Sequence, residues 1–408
     1  MGLNMNVFYQ FLKDLLKFSL SGGKLYHRWM ASLTFLMLLG SILYIIQLDR
    51  GLVATGMSDY VSWGLYISNF TFLVGLAAAA VMLIIPAYIF SDTDLYKVVL
   101  IGEGVAVGAV MMCLAFVTVD LGGPQRVWHL LPFIGLNFPS SLLAWDIIVL
   151  NGYLLLNILV PGYILFSRYQ KKAPNKKIYV PLIFLSIFWA ISLHLVTAFL
   201  YEGLPAKPFW NNALMGPRFL ASAFSAGPAF ILLLLGFVKK YSDYKVDHKI
   251  LDKIAVIVTV AAQINLIMLG SEIFKEFYSS THHSISAFYL FFGIGENNSL
   301  VPWIWTSVIL NIGATGVLSV HLLRKNDLFL YPACAVLFLA IWIEKGIGLV
   351  VPGFIPTPLG EIVEYTPTLI EIGITISIWA FGLFIITSLV RLGFAVEQGG
   401  LTYKKTTN

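Results

Sequence analysis

The segment from Asp120 to Asp146, DLGGPQRVWHLLPFIGLNFPSSLLAWD, holds the densest group of side chains that could carry chemistry. Besides the carboxylates at its two ends it contains Arg126, Trp128 and His129. Carboxylates and imidazoles accept and donate protons in general acid–base chemistry, provided that they lie within hydrogen-bond distance of the reacting oxygen. The segment therefore predicts a site of proton transfer.

The elements that must position this segment are long and apolar. Of the 408 residues, 58% are hydrophobic and only 12% are charged, and the mean hydropathy is +0.84. An ordinary soluble domain carries about 25% charged residues, and a run of about 20 apolar residues spans the hydrocarbon core of a bilayer. We predict an all-α polytopic membrane protein with ten transmembrane helices, at about residues 28–48, 61–90, 98–119, 142–167, 178–200, 215–238, 251–274, 301–323, 329–351 and 368–392.

The chain divides into three predicted parts. Residues 1–27 place Phe8, Phe11 and Leu15 on one helical face, which is typical of an amphipathic helix lying on the membrane surface. Residues 28–392 form a single ten-helix membrane domain, and residues 393–408 form a cytoplasmic tail.

The distribution of basic residues predicts the topology. Most of the 26 lysines and arginines lie on the side of the membrane that holds the N-terminus, and the other side keeps only Arg50, Arg126, Lys207, Arg218, Lys275 and Lys345. The positive-inside rule then places both the N- and the C-terminus in the cytoplasm, which requires an even number of spans. Asp120–Asp146 lies on the outer face, and the pI near 8.9 reflects topology rather than a nucleic-acid partner.

Ionisable residues inside the spans are costly to bury in lipid and are functional candidates by default. Those in the outer half or at its edge are Asp120, Asp146, His194, Glu272, Glu344 and Glu371. Glu103 is the carboxylate of the inner half. We take Glu103, Glu344 and Glu371 as candidate proton-relay residues.

The residues of the outer segment also have structural interpretations. His129 could be a histidine of the membrane interface, and Asp146 could be a carboxylate that the dipole favours at a helix N-terminus. Asp120 could form a turn and pair with Arg126. His194 differs, because at 1.5 Å per residue it lies about 9 Å below the outer end of its helix and needs a partner.

Two buried glutamates have structural alternatives as well. Glu344 could pair with the adjacent Lys345 in a buried ion pair without a functional role. Glu103, between Gly102 and Gly104, could bond a neighbouring serine or the backbone. Its functional alternative is part of a proton half-channel.

The chain offers no ligand set for a metal cofactor. Its two cysteines cannot supply the four thiolates of an iron–sulfur cluster, so any such cluster belongs to a partner subunit. Bis-histidine haem needs two histidines at similar depth on different helices, whereas His194 and His321 lie near opposite sides. Neither haem nor a metal site is expected.

Three blocks of sequence resemble the NrfD/PsrC family, the quinone-reactive membrane subunits of polysulfide-reductase-like complexes. The blocks are DLGGPQRVWH with NFPSSLLAWDIIVLNGYLLLN, SLHLVTAFLYEGLPAKPFWNNALMGPRFLASAFSAGPA, and IWIEKGIGLVVPGFIPTPLGEIVEYTPTLIEIGI. The third is similar to the ten-helix branch that contains DsrP and HmeB, subunits of membrane complexes associated with dissimilatory sulfite reduction. Gly123 departs from the family pattern, which has arginine there.

The resemblance implies two four-helix bundles plus two further helices, without haem. It also implies a menaquinone or menaquinol site near the outer face, beside a ferredoxin-like extracytoplasmic subunit with [4Fe–4S] clusters. Further partners implied are a multihaem cytochrome c, a haem b membrane subunit and a cytoplasmic iron–sulfur subunit. Carried onto this sequence, the catalytic residues would be His129, Asp146 and His194, and the cofactor-binding residues Tyr26, His27, Asp120, Arg126, Trp128 and Glu272.

We therefore predict a multi-pass subunit of the cytoplasmic membrane that exchanges electrons between menaquinol or menaquinone and an iron–sulfur partner. His129 or His194 would accept a proton, and Asp146 would orient or relay it. The direction of electron flow stays open. Two alternatives are a secondary transporter, which would place charged groups near the midplane of matching halves, and a structural anchor that binds no quinone.

Overall fold

The computed structural model describes residues 5–130, 135, 138–242, 246–278, 284–397 and 399–403. Within them, ten helices are long and apolar enough to cross a membrane, which confirms the predicted number of spans. The chain is a multi-pass membrane protein, and the cell membrane is its expected location. The helices are α1 Met5–Leu20, α2 Lys24–Arg50, α3 Leu65–Ala77, α4 Ala79–Ile84, α5 Thr93–Tyr96, α6 Val99–Asp120, α7 Leu142–Tyr169, α8 Lys176–Glu202, α9 Met215–Tyr241, α10 His248–Tyr278, α11 Ile285–Phe292, α12 Val301–Ser319, α13 His321–Arg324, α14 Asp327–Lys345, α15 Ile347–Val350 and α16 Leu369–Glu397.

The long helices form two bundles of four. The first bundle contains the span built from α3 and α4, together with α6, α7 and α8. The second bundle contains α9, α10, α12 and α14. The remaining helices, α2 and α16, pack against each other, and α16 also packs against α6. The expected arrangement of two bundles plus two further helices is confirmed.

Small residues join the two bundles. A Cβ atom on Gly75 of α3 would lie 3.5 Å from Ala223 of α9, and one on Gly227 of α9 would lie 2.8 Å from Ala79. Helices in lipid gain most of their association from close van der Waals packing, which small side chains permit. The chain therefore uses glycine and alanine where α3 and α4 cross α9.

The molecule has two chemically different ends. The Asp120 end carries the loop residues 51–64, 121–130, 138–141, 203–214 and 352–368, and the basic end carries α1, α5 and the last described residues of α16. At the basic end, Lys253 of α10 bonds Asp92 (2.6 Å) and Asp94 (2.9 Å) beside α5. Which end faces the cytoplasm follows from the positive-inside rule and stays a prediction.

The amphipathic helix α1 docks on the basic end. Its buried Phe11 lies with ring centroids 5.3 Å from Phe166 and 5.1 Å from Tyr169 of α7. Met5, Leu16 and other apolar side chains of α1 stay exposed, as expected of a helix that also touches lipid. The end of α16 lies here as well, so the first and last described helices meet on one side of the molecule.

Candidate functional site

Asp146 lies inside the first bundle, one turn from the beginning of α7, and is 1% exposed. Its Oδ1 accepts a hydrogen bond of 2.6 Å from the Thr197 hydroxyl of α8, and its Oδ2 has no hydrogen-bond partner among the described residues. The N-cap of α7 is instead Ser141, whose side chain accepts from the Ala144 N–H. Asp146 therefore does not cap α7, although it lies about one turn from the helix N-terminus, where the dipole favours a carboxylate.

His194 is fully buried on α8, one turn before Thr197. Its Nδ1 lies 2.7 Å from the Ala190 carbonyl of its own helix, and its ring faces the backbone of Val74 and Gly75. A carbonyl can only accept, so Nδ1 carries the hydrogen and Nε2 is left as the proton acceptor of the neutral ring. This Nε2 has no hydrogen-bond partner in the described part of the chain.

His129 lies outside the bundle. It belongs to a short 3-10 helix, Pro124–Leu130, and is exposed together with Arg126 and Trp128. Its ring packs on that of Trp128 with centroids 3.9 Å apart. The structure therefore does not bring His129 into contact with Asp146 or His194 within the described ranges, and residues 131–134 and 136–137 of the same loop lie outside them.

Tyr26 and His27 require a correction. They lie at the beginning of α2, where the Tyr26 hydroxyl donates to the Ser19 carbonyl (2.7 Å) and the His27 ring bonds the Gly23 and Leu20 carbonyls. Gln47, near the other end of α2, reaches the Asp120 end by bonding the Val119 carbonyl. At 1.5 Å per residue the two positions are about 30 Å apart, so no single pocket holds Tyr26 or His27 with Asp146.

Asp120 and Glu371 lie at the junction of α2, α3, α6 and α16. Glu371 is fully buried and accepts from the Tyr365 hydroxyl (2.6 Å), the Gly56 N–H (2.7 Å) and the Thr368 N–H (2.9 Å). Burial, followed by the nearby Glu371 carboxylate, raises the pKa of Tyr365, so its phenol stays protonated and donates.

Asp120 lies within electrostatic reach of Glu371, and its Oδ1 has no hydrogen-bond partner among the described residues. Arg126 is exposed and makes no ion pair with Asp120 in the described ranges. The expected structural pairing of Asp120 with Arg126 is therefore wrong.

The second bundle holds a buried charge cluster around Arg218 of α9. Its guanidinium pairs with Glu344 of α14 (2.6 Å) and with Glu272 of α10. Asn311 of α12 donates to the other oxygen of Glu344 at 3.1 Å. Glu344 thus pairs with Arg218 and not with its neighbour Lys345, which corrects the expected adjacent pair.

Glu103 lies far from these groups. It is buried on α6, one turn from the beginning of the helix and thus near the basic end. It is within electrostatic reach of Tyr88 and Tyr153. The candidate proton-relay residues therefore occupy both ends of the molecule: Glu103 near the basic end, and Glu344 and Glu371 at the Asp120 end.

Aromatic side chains close the Asp120 end between the bundles. The rings of Trp63 and Trp210 stack with centroids 5.7 Å apart, and Phe354 meets Trp210 edge-on at 5.0 Å. Tyr201 of α8 packs under them and shares a short hydrogen bond with the Thr71 hydroxyl of α3. This layer separates the buried polar groups from the surface at that end.

Several residues of these clusters were missed in the sequence. Thr197 and Tyr201 carry no charge, so nothing in the sequence marked them. Arg218 is grouped in the sequence with the basic residues of the outer side, although it lies within a span, where an ionisable residue is a functional candidate by default. That rule, applied to α9 as well, would have found it.

Comparison with known proteins places the chain in a family. The family model described as "Polysulphide reductase, NrfD" matches residues 53–323, more than half of the chain. The chain is 25% identical to a selenate reductase subunit of Mesobacillus selenatarsenatis over 63% of its own length and 66% of that protein. It is 22% identical to the Hdr-like menaquinol oxidoreductase integral membrane subunit of Archaeoglobus fulgidus, over 80% of its length and 83% of that protein.

The family match covers the first bundle and most of the second, including Asp146, His194, Arg218 and Glu272. Asp146, His194 and Arg218 therefore lie on the matched segment, whereas Glu344 and Glu371 lie beyond it. The chain belongs to the polysulphide reductase NrfD family.

Proposed function

We propose that this chain is the quinone-binding membrane subunit of a respiratory redox complex. It exchanges electrons between menaquinol or menaquinone and an extracytoplasmic iron–sulfur partner. The observation that supports this most is the buried Asp146, whose Oδ2 has no hydrogen-bond partner among the described residues. The name of the Archaeoglobus fulgidus relative, a menaquinol oxidoreductase subunit, points to the same ligand class.

The first bundle fits a quinone head group in its polar chemistry. Asp146 Oδ2 and His194 Nε2 are both buried acceptors without a partner in the described ranges. A buried polar atom left unsatisfied is costly, so such atoms call for a ligand group or water. In our proposal Asp146 and His194 hold the ring oxygens.

When bound, menaquinol supplies electrons together with protons. His194 Nε2 takes up a proton, because its Nδ1 hydrogen is already committed to the Ala190 carbonyl. Thr197 holds Asp146 Oδ1, so Oδ2 alone is left to receive or return a proton. His129, with Arg126 and Trp128 beside it, forms the exposed edge of the site and is the second candidate to accept a proton.

The remaining candidate residues complete the proposal. Glu103, Glu344 and Glu371 relay protons, and Asp120 and Glu272 contribute to the polar surroundings of the site. A ferredoxin-like [4Fe–4S] subunit would dock on the Asp120 end, where the exposed 3-10 helix lies. The multihaem cytochrome c, haem b and cytoplasmic iron–sulfur subunits belong to the same proposed complex.

The test is electron exchange between a menaquinol analogue and the purified complex. Asp146→Asn and His129→Ala should each slow it by about 100-fold, the usual contribution of a general acid or base. Asp59→Asn is the matched control, since Asp59 is an exposed carboxylate of loop 51–64. Normal rates in Asp146→Asn and His129→Ala would show that the site is placed wrongly.

Two further measurements separate the rival functions. A purified complex that contains no menaquinone and binds none would favour a purely structural anchor. Substrate uptake by the isolated chain in liposomes, without a redox partner, would favour a secondary transporter.

A further inference from the structure

Lys345 is a buried lysine at the end of a spanning helix. It ends α14 and is 3% exposed, and its Nζ has no partner among the described residues. The neighbouring Glu344 is already occupied by Arg218 and Asn311. A buried ammonium has three donors to satisfy.

The nearest group to Lys345 is an aromatic ring. Its Nζ lies 3.7 Å from the centroid of Phe219. A cation–π contact contributes about 0.5–2 kcal/mol, less than the cost of burying an unpaired charge. Packing on Phe219 therefore does not by itself account for a lysine at this depth, and Nζ needs either water or a proton acceptor.

Lys345 lines two cavities, one on each side of it. The larger, with a volume of about 30 Å³, lies in the second bundle and is also lined by Arg218, Glu272 and Glu344. The smaller, with a volume of about 10 Å³, lies between the bundles and is also lined by Thr71. Lys345 is thus the ionisable residue that both cavities share.

The smaller cavity leads toward the proposed quinone site. Thr71 bonds the Tyr201 hydroxyl, and Tyr201 is within electrostatic reach of Asp146. Lys345 also interacts electrostatically with His194. The titratable and charged groups around Lys345 are therefore His194 from the first bundle, and Arg218, Glu272 and Glu344 from the second.

We propose that Lys345 transfers protons between the two bundles, from the Asp146 side to the carboxylates around Arg218. In this step the Lys345 amine forms a new N–H bond to a proton released on the Asp146 side. The ammonium then gives a proton to Glu344 or Glu272, and the amine is restored. The proposal rests on the proposed function, because bound menaquinol is the source of the proton.

The test separates proton transfer from electron transfer in a single turnover. The purified complex is mixed with a menaquinol analogue, cluster reduction is followed by absorbance, and proton appearance is followed with a pH indicator. In Lys345→Met, cluster reduction should stay within about twofold of the unmodified complex, while protons appear at least about tenfold more slowly. Lys207→Met is the control, because Lys207 lies at the same end over the ring of Phe354.

The variant Lys345→Arg distinguishes a proton-transfer role of Lys345 from a purely structural role. Arginine keeps the charge and the contact with Phe219 but cannot be deprotonated in a protein, so we expect it to be as slow as Lys345→Met. If proton appearance in Lys345→Arg equals that of the unmodified protein, at an unchanged unfolding midpoint, Lys345 is structural and the proposal fails. A complex whose clusters menaquinol never reduces overturns the proposed function itself, and the role of Lys345 with it.

Discussion

Replacing Arg218 with methionine should destabilise the second bundle more than any single surface change. The side chain is 9% exposed, and the paired carboxylates of Glu272 and Glu344 are 8% and 1% exposed. Removing one partner of a buried ion pair costs about 3–5 kcal/mol, because the opposite charge is left uncompensated. Arg218→Met leaves both carboxylates in that state, so we expect a loss at the upper end of this range.

The assay is unfolding of the purified chain in mixed micelles by increasing denaturing detergent, followed by tryptophan fluorescence. The surface control is Lys253→Met, which breaks an ion pair at the basic end whose side chains are 32% and 22% exposed. Exposed pairs contribute about 0–1 kcal/mol. The triple variant Arg218→Met, Glu272→Gln, Glu344→Gln should regain part of the loss, since it removes both uncompensated carboxylates. An Arg218→Met protein within about 1 kcal/mol of Lys253→Met would refute the reasoning.

Two further predictions concern packing and pH. Gly353→Ala should lower the free energy of unfolding by about 1–3 kcal/mol, because the added Cβ would overlap the buried ring of Trp210. Gly313→Ala, with open space around the added Cβ, should stabilise α12 by about 0.5–1 kcal/mol. The thermal unfolding midpoints of the two variants test both expectations. A hydrogen bond from Lys253 lowers the pKa of Asp92 in the folded protein. The contribution of this interaction to the free energy of unfolding should therefore be complete above the pKa of Asp92 in the unfolded chain, about 4. It should disappear as the pH falls through the lower pKa of the folded state. In Asp92→Asn, the unfolding midpoint should depend less on pH in this acidic range. An unchanged pH dependence there would contradict the stabilising role of the Asp92–Lys253 interaction.

The sequence predicted the number and positions of the spans well, because these depend on hydropathy, which can be read from each residue. Apolar runs long enough to span lipid are visible one helix at a time. The grouping of the helices into two bundles came from the resemblance to the NrfD/PsrC family, because the sequence of a single helix does not reveal its neighbours. Asp146 and His194 were found because an ionisable residue inside a span is rare.

The partners of these residues could not be predicted, because they come from distant parts of the chain. Glu344 was expected to pair with the adjacent Lys345, but consecutive residues on a helix point in different directions. The carboxylate meets Arg218, more than 120 positions earlier, across a helix interface. The prediction that Tyr26 and His27 belong to the quinone site was wrong for a related reason. A sequence motif gives no distance, and α2, which carries both residues, spans the full thickness of the molecule.

The packing of α16 between α2 and the first bundle has a consequence for the order of synthesis. Among the described spanning helices, α2 is made before all others, and α16, the helix it packs against most extensively, is made after all others. Until α16 is inserted, the groove that it fills on α6 faces lipid, and Glu371 has not yet bonded the Gly56 N–H. The side of α6 that α16 covers is thus closed only when α16 is inserted, and a ribosome that stalls before residue 369 leaves this side open whatever the state of the second bundle.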